Sequence, residues 1–379
     1  MKNIFSDLIS YKKDENNKTY KFLGLKFSCR NTEMIESEKK KQDEYPLDGI
    51  QSAETLIVLF IPNKKTINGG ILSIYSICEH TREICPDAQV VICTVPGKYT
   101  YAYNPYFEND EKIYRWEQIV QNMGNAKKVI LHIPEYFGGK FYKALKPSER
   151  AVLKSVPDLQ INILNQNIEL MPPQKELDNL YKLTKNVTQT IGHDRYASPE
   201  ICKKWTITPH FLSVLIECKG KYYDFSEKEK TIVLSPDKHP MRENIVSVLK
   251  KNMPEFKHVT VENLKYKDYV DLISRSFFTI TFGEGFDSYF AQPLKCGSLS
   301  FAVYNNEFFP DESWKSLENI YSSYEEMEEK ISQDMRRFLE ESAVYNAAIK
   351  TAYEKHKSVY PNGKFLNNLK NFYNKDYKI

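Results

Sequence analysis

No window of the 379-residue sequence approaches the ~18–20 uninterrupted apolar residues needed to cross a bilayer. The best run, Thr55 to Pro62, has the length of a strand and is flanked by charged residues. The opening, MKNIFSDLISYKKDENNK, lacks the apolar stretch and small-residue cleavage site of a secretory signal, so a cytoplasmic protein is expected, acting at a membrane only from its surface. An excess of one charge is also missing. The 53 basic and 50 acidic residues leave a net charge of +3, far from the concentrated positive field of a nucleic-acid binder, and no nucleic-acid partner is expected. The seven cysteines (Cys29, Cys78, Cys85, Cys93, Cys202, Cys218, Cys296) form no CxxC pair and are odd in number. That argues against a disulfide framework or a structural zinc site and for reduced, mostly buried thiols. There is no GxGxxG and no Walker loop, so dinucleotide and ATP sites lack support.

The chain does contain the ingredients of folded α/β domains. Hydrophobic residues at 41% and charged residues at 27% exclude a largely disordered chain, and 379 residues exceed what one core usually holds, so two domains are expected. Tyr (26) and Phe (21) are abundant; flat amphipathic rings suit sugars and bases, although a composition rich in Lys, Asn and Ile brings such residues along anyway.

Residues 1–50 read as a polar, lysine-rich leader, loosely attached, with one short strand or hairpin at Tyr20 to Ser28. From Glu54 on, strand-length apolar runs (TLIVLFIP, AQVVICTVP, KKVILHIP, LQINILNQN, NVTQTIG) alternate with amphipathic stretches, the pattern of βαβ units and a parallel sheet. In ILSIYSICEHTREI, the residues Ile71, Ile74, Tyr75 and Cys78 share one helical face. The polar stretch CKGKYYDFSEKEK interrupts the alternation, which then resumes with TIVLSPD, HVTVEN, FFTITFG and LSFAVYN before a long helical tail. The expected layout is a leader (1–50), an α/β domain (51–220), a second α/β domain (229–340) and a C-terminal helical segment (341–379) returning to the first domain.

In open parallel sheets ligands collect beyond the C-terminal strand ends, where helix N-termini offer free amides. After the first strand, Gly69 and Gly70 open a helix and would let a sugar or phosphate approach the backbone. After KKVILHIP, His132 and Glu135 are candidates for a general-base pair; His193 and Asp194 are acceptor-side candidates of the same kind. Ser235 and Lys238 follow the first strand of the second half, where a diphosphate would lie. The most informative segment is TFGEGFDSYFAQPLKCGSLSFAVYN. Gly283 and Gly285 thin the backbone around Glu284, which can project at a helix N-terminus, where a carboxylate binds sugar hydroxyls and the amides of Phe286, Asp287 and Ser288 meet phosphate oxygens.

This segment resembles the donor-binding signature of the GT-B glycosyltransferases, above all the large retaining, glycogen-synthase-like (group 1) bacterial family. Glu284, Phe286 and the run Lys295-Cys296-Gly297-Ser298 align with that signature over Phe277 to Tyr304. The leader around Tyr20–Ser28 is similar to the opening of many bacterial polysaccharide glycosyltransferases. The resemblance implies two Rossmann-like domains facing a cleft, with a C-terminal helix crossing back to the first. It implies that Glu284 contacts hydroxyls of the donor sugar, that Gln292 stands where a second glutamate grips the ribose, and that Lys238 meets the diphosphate. It also brings Gly69 and Gly70 towards the donor. The expected activity is sugar transfer from a nucleotide sugar to a glycan or lipid-linked glycan, in capsule or lipopolysaccharide assembly at the inner face of the membrane. Retention of configuration follows from the resemblance; an inverting enzyme would need a base, at His132 or Glu135. No metal or other cofactor is expected, since no DxD-like motif stands at a strand end. Two alternatives remain open: a sugar-nucleotide epimerase of the same fold, and a non-catalytic member that binds a glycan or nucleotide.

Overall fold

The computed structural model describes residues 9–13, 17–22, 25–30, 32–107, 110–192, 209–213, 218–359 and 362–377, and of residues 9–30 the backbone course. The chain opens with an antiparallel meander of β1 (Ile9–Lys13), β2 (Asn17–Phe22) and β3 (Leu25–Arg30). Helix α1 (Thr32–Asp43) follows. It belongs to the first domain rather than to a loose leader: Gln42 Nε2 donates to the carbonyls of Ile113 (2.8 Å) and Tyr101 (3.1 Å), and Glu38 Oε2 accepts from the Ala102 amide (2.8 Å). Its anchors are buried polar side chains on a lysine-rich helix, so no apolar stripe announces them.

The N-terminal half then runs α2 (Asp48–Ser52), β4 (Thr55–Ile61), α3 (Gly69–Ile84), β5 (Gln89–Thr94), β6 (Ile113–Tyr114), α4 (Trp116–Asn122), β7 (Lys128–Pro134), α5 (Glu135–Ala144), α6 (Pro147–Ser155), β8 (Asp158–Asn165), α7 (Gln174–Leu177), β9 (Asn186–Ile191) and β10 (Pro209–Phe211). Its strands form a parallel sheet in the order β10-β9-β8-β7-β4-β5-β6. Both faces are covered, which is why β4 and β7 are nearly continuous apolar runs. The order reverses between β4 and β7, and that reversal is a topological switch point.

The C-terminal half runs β11 (Glu229–Leu234), α8 (Arg242–Asn252), β12 (Lys257–Thr260), α9 (Tyr266–Arg275), β13 (Ser276–Ile280), α10 (Ser288–Lys295), β14 (Leu299–Val303), β15 (Ile320–Tyr321), α11 (Tyr324–Glu340), α12 (Ser342–Val359) and α13 (Asn362–Tyr373). Its parallel sheet has the order β12-β11-β13-β14-β15, so its switch point lies between β11 and β13. Aromatics fill its core, with Phe278, Phe290, Phe301, Phe309, Trp314 and Phe338 fully buried. Four described thiols, Cys78, Cys93, Cys218 and Cys296, are buried and free.

The segment 341–379 divides. Helix α12 stays with the second half, where Tyr345, Ile349 and Ala352 join the core of β13 and β14. Only α13 crosses back, inserting Phe365, Leu369 and Phe372 among Ile57, Ile71, Ile92 and Ile130 of the first half. Three buried side chains at about 1.5–3 kcal/mol each are enough to hold a helix there. Among the described residues no helix is long and apolar enough to cross a membrane.

Candidate active site

The two switch points face one another. On the N-terminal side, Asn68 caps α3 by accepting from the Ile71 amide (3.0 Å), leaving Gly69 and Gly70 at the helix start. On the C-terminal side, Asp287 caps α10 by accepting from the Phe290 amide (3.0 Å) and from the Thr281 hydroxyl (2.8 Å). A methyl group on Gly69 would lie 3.2 Å from Ser288 Oγ, so the two helix N-termini meet across the cleft. Among the described residues the halves also touch where the Tyr266 amide donates to the Tyr106 carbonyl (2.7 Å) and where Asn167 Nδ2 donates to Glu284 Oε1 (3.5 Å).

Glu284 stands in the loop between β13 and α10, half-buried. Gly285 has φ +79°, and a Cβ there would come within 2.6 Å of the Val303 carbonyl, so the bend that turns Glu284 into the cleft requires glycine. A methyl on Gly283 would meet the Asp237 carboxylate at 2.9 Å. Burial, then the charges of Asp287, Asp237 and Glu169, push the Glu284 carboxyl up to about 7. Asp287 is pushed up to about 6, first by burial, with the Thr281 bond opposing. The loop thus carries a carboxyl that both accepts and donates hydrogen bonds near neutral pH, as polyol binding uses.

Beside this loop, beyond β11 and β12, lies a cavity of about 570 Å³ lined by Pro236 to Pro240, Arg242, Glu243, Thr260 and Glu262. That is a small-ligand volume. Lys238 is exposed on its rim, while Arg242 donates to Thr260 Oγ1 (2.9 Å) and Glu243 Oε1 (2.8 Å) and lies over the Phe282 ring. His239 stacks on Tyr324 at 3.6 Å, and Tyr324 also lines a second cavity of about 480 Å³ with Gly283, Asn305, Lys315 and Glu312.

Other sequence candidates have different surroundings. Phe286 points into the core, against Trp314, Phe309 and His356, because the positive φ of Gly285 turns the next side chain inward. Gln292 is buried and donates to the Tyr266 hydroxyl (3.2 Å), on the face of α10 turned to α9. The buried Ser235 hydroxyl accepts from the Phe282 amide (3.0 Å) and ties β11 to β13. His132 is fully buried beneath α13; its ring nitrogens meet Tyr373 Oη (3.0 Å) and Asn162 Nδ2 (3.1 Å), and burial lowers its pKa to about 3. Glu135 does not pair with His132: it is buried, with its carboxylate accepting from the backbone amide of Asn167 (3.3 Å) and its pKa raised by burial. His193 and Asp194 lie outside the described residues.

The turn after β8, with Gln166, Asn167 and Glu169, reaches the site although no motif marks it. The strand-end rule that singled out Lys238 and Glu284 applies equally to Asn167, which follows LQINILN.

No protein-family model matches the chain, and no curated protein does. Solved structures match over most of its length. An alpha-glucosyltransferase in complex with UDP and a 13-mer DNA containing an HMU base aligns with 83% of this chain and 99% of its own, at 8% identity and a TM-score of 0.53. Sucrose-phosphate synthase from Thermosynechococcus elongatus aligns with 85% of this chain and 98% of its own, at 10% identity and 0.52. Anabaena HepE in complex with UDP aligns with 85% of this chain and all of its own, at 7% identity and 0.54. At such identities the likeness establishes the fold: two parallel α/β sheets arranged as in the GT-B glycosyltransferases.

Proposed function

We propose that the protein is a glycosyltransferase that moves a sugar from a nucleoside-diphosphate sugar to a glycan or lipid-linked glycan acceptor. The observation that carries this reading is Glu284, held by an obligate Gly285 at the switch point of the C-terminal sheet, reached by Asn167 of the N-terminal half and adjoining Gly283, which abuts Asp237 of the cavity wall. The diphosphate would lie in that cavity against Lys238 and Arg242, with the sugar over Glu284 and the α10 N-terminus at the leaving oxygen. UDP in two of the matching structures supports a uridine nucleotide as the first donor to try. DNA accompanies UDP in one of them; here a net charge of +3 favours a glycan instead.

The role in surface polysaccharide assembly, the retaining outcome and the peripheral membrane setting rest on the sequence resemblance. The leaving group is proposed to be stabilised by Lys238, Arg242 and helix amides without a metal. EDTA should then leave turnover unchanged, whereas strong inhibition reversed by manganese would refute that part. A panel of UDP-, GDP- and dTDP-sugars, with products resolved by chromatography, tests the whole. Donor hydrolysis or transfer supports the proposal; interconversion of free sugar nucleotides would point to an epimerase, and binding without turnover to a non-catalytic member.

A further inference from the structure

Among the described residues, the side chain of the N-terminal half that hydrogen-bonds Glu284 is Asn167, from the turn after β8. Asn167 is built into that position from three sides. Its backbone amide donates to Glu135 Oε1 (3.3 Å), its Oδ1 accepts from the Glu169 amide (2.9 Å), and its Nδ2 donates to Glu284 Oε1 (3.5 Å). The same Glu135 carboxylate also takes the Gln166 amide and its own, so it binds the turn as a cap binds a helix start. Gln166, one residue earlier, braces α3: a methyl on Gly70 would lie 2.7 Å from Gln166 Oε1. Turn, α3 start and α10 start therefore form one contact zone between the halves.

We propose that Asn167 is the positioning residue through which the N-terminal half orients Glu284, and that Glu135 serves by holding Asn167 rather than by moving a proton. The inference deepens the donor-site reading of Glu284 and rests on it for its catalytic consequence. The charged groups around Glu284 are Asp237 from the loop after β11, Asp287 at the α10 cap and Glu169 from the β8 turn, all of one sign. A neutral amide donor is the group that can hold a carboxylate in such company without competing for its proton. Asn167 meets Glu284 across the boundary between the halves, so the orientation of Glu284 depends on a contact that the C-terminal half alone does not supply.

The test reads Glu284 directly. In protein carrying carboxyl-labelled glutamate, the Glu284 signal is identified by its loss in Glu284→Gln, and its titration is followed by carbon NMR. Asn167→Asp, which sets a further like charge against Glu284, should move the midpoint upward, and Asn167→Ala should move it upward by less. Glu135→Gln should shift it in the same direction by loosening the turn. In transfer assays Asn167→Ala should lower kcat about tenfold with UDP affinity unchanged, the loss of one charge-assisted hydrogen bond, and Asn167→Gln should restore part of it. A midpoint that stays at its wild-type value in both Asn167→Asp and Asn167→Ala overturns the proposal. A wild-type protein that turns over no sugar nucleotide would instead remove the donor-site reading, while the titration still decides whether Asn167 orients Glu284.

Discussion

In the N-terminal half, β7 ends on residues that look reactive and are turned inward: His132 lies under α13 against Tyr373 and Asn162, and Glu135 caps the β8 turn. In the C-terminal half, β11 and β13 end on residues that face open space: Lys238 and Asp237 on a cavity, Glu284 in the cleft. The two sheets share one topology, with a switch point in each. What differs is what covers the polar side chains. The face of the first sheet that carries His132 is overlaid by a helix arriving from the far end of the chain, and its contribution to the cleft comes from the α3 start and the turn after β8; the polar residues after β11 and β13 stay at the cleft. A polar residue at a strand end becomes a site only where nothing later in the chain claims it.

The largest expected effect separates the two halves directly. Glu284→Ala should lower transfer by at least about a hundredfold, as losing a charged contact made in the transition state does. Its melting temperature should stay within about 2 °C, since the side chain packs against no core. His132→Gln should do the reverse, leaving turnover near wild type and altering stability. If kinetics respond to His132 and not to Glu284, the contrast between the halves collapses.

Acid stability sharpens the same contrast. The buried His132 ring has a pKa of about 3 in the folded chain against an ordinary value of 6.5, so it takes its proton only on unfolding. Its contribution to stability is complete above pH 6.5 and is lost as the pH falls towards 3, by on the order of a few kcal/mol near pH 4. Denaturant titrations between pH 7 and pH 4 should show that slope, and His132→Gln should reduce it, the remainder coming from the buried His356, whose pKa burial lowers to about 4. A variant with an unchanged slope would place the acid sensitivity elsewhere.

A smaller effect belongs to the C-terminal loop. Gly285→Ala should destabilise by about 1–3 kcal/mol, from the strain of φ +79° and the clash with the Val303 carbonyl. Because the bend sets Glu284, turnover should fall by more than that stability loss explains. Activity kept at wild-type level in a folded Gly285→Ala would show that the bend is dispensable.

Most of the strands could be read from the sequence because parallel strands buried on both faces are continuous apolar runs, as TLIVLFIP and FFTITFG show. The Gly283-Glu284-Gly285 turn was legible too, since two glycines around a carboxylate have a local cause. Three features were not. The fate of His132 depends on Tyr373, 241 residues away, and no local pattern carries that pairing. Phe286 sits in a binding motif yet packs in the core, because the backbone sign at Gly285 decides which way the next side chain faces. Asn167 lacks any motif, and only the meeting of the two halves brings its side-chain amide to Glu284.

Calorimetric titration with UDP, GDP and dTDP, comparing the wild-type chain with a Lys238→Ala, Arg242→Ala double variant, tests the central claim most directly. The account predicts that at least one of these nucleotides binds the wild type and that the double variant weakens it by about tenfold or more, with the loss shrinking at high salt. No binding by any of the three, or binding indifferent to both substitutions, would contradict a donor site at the strand ends of the C-terminal sheet.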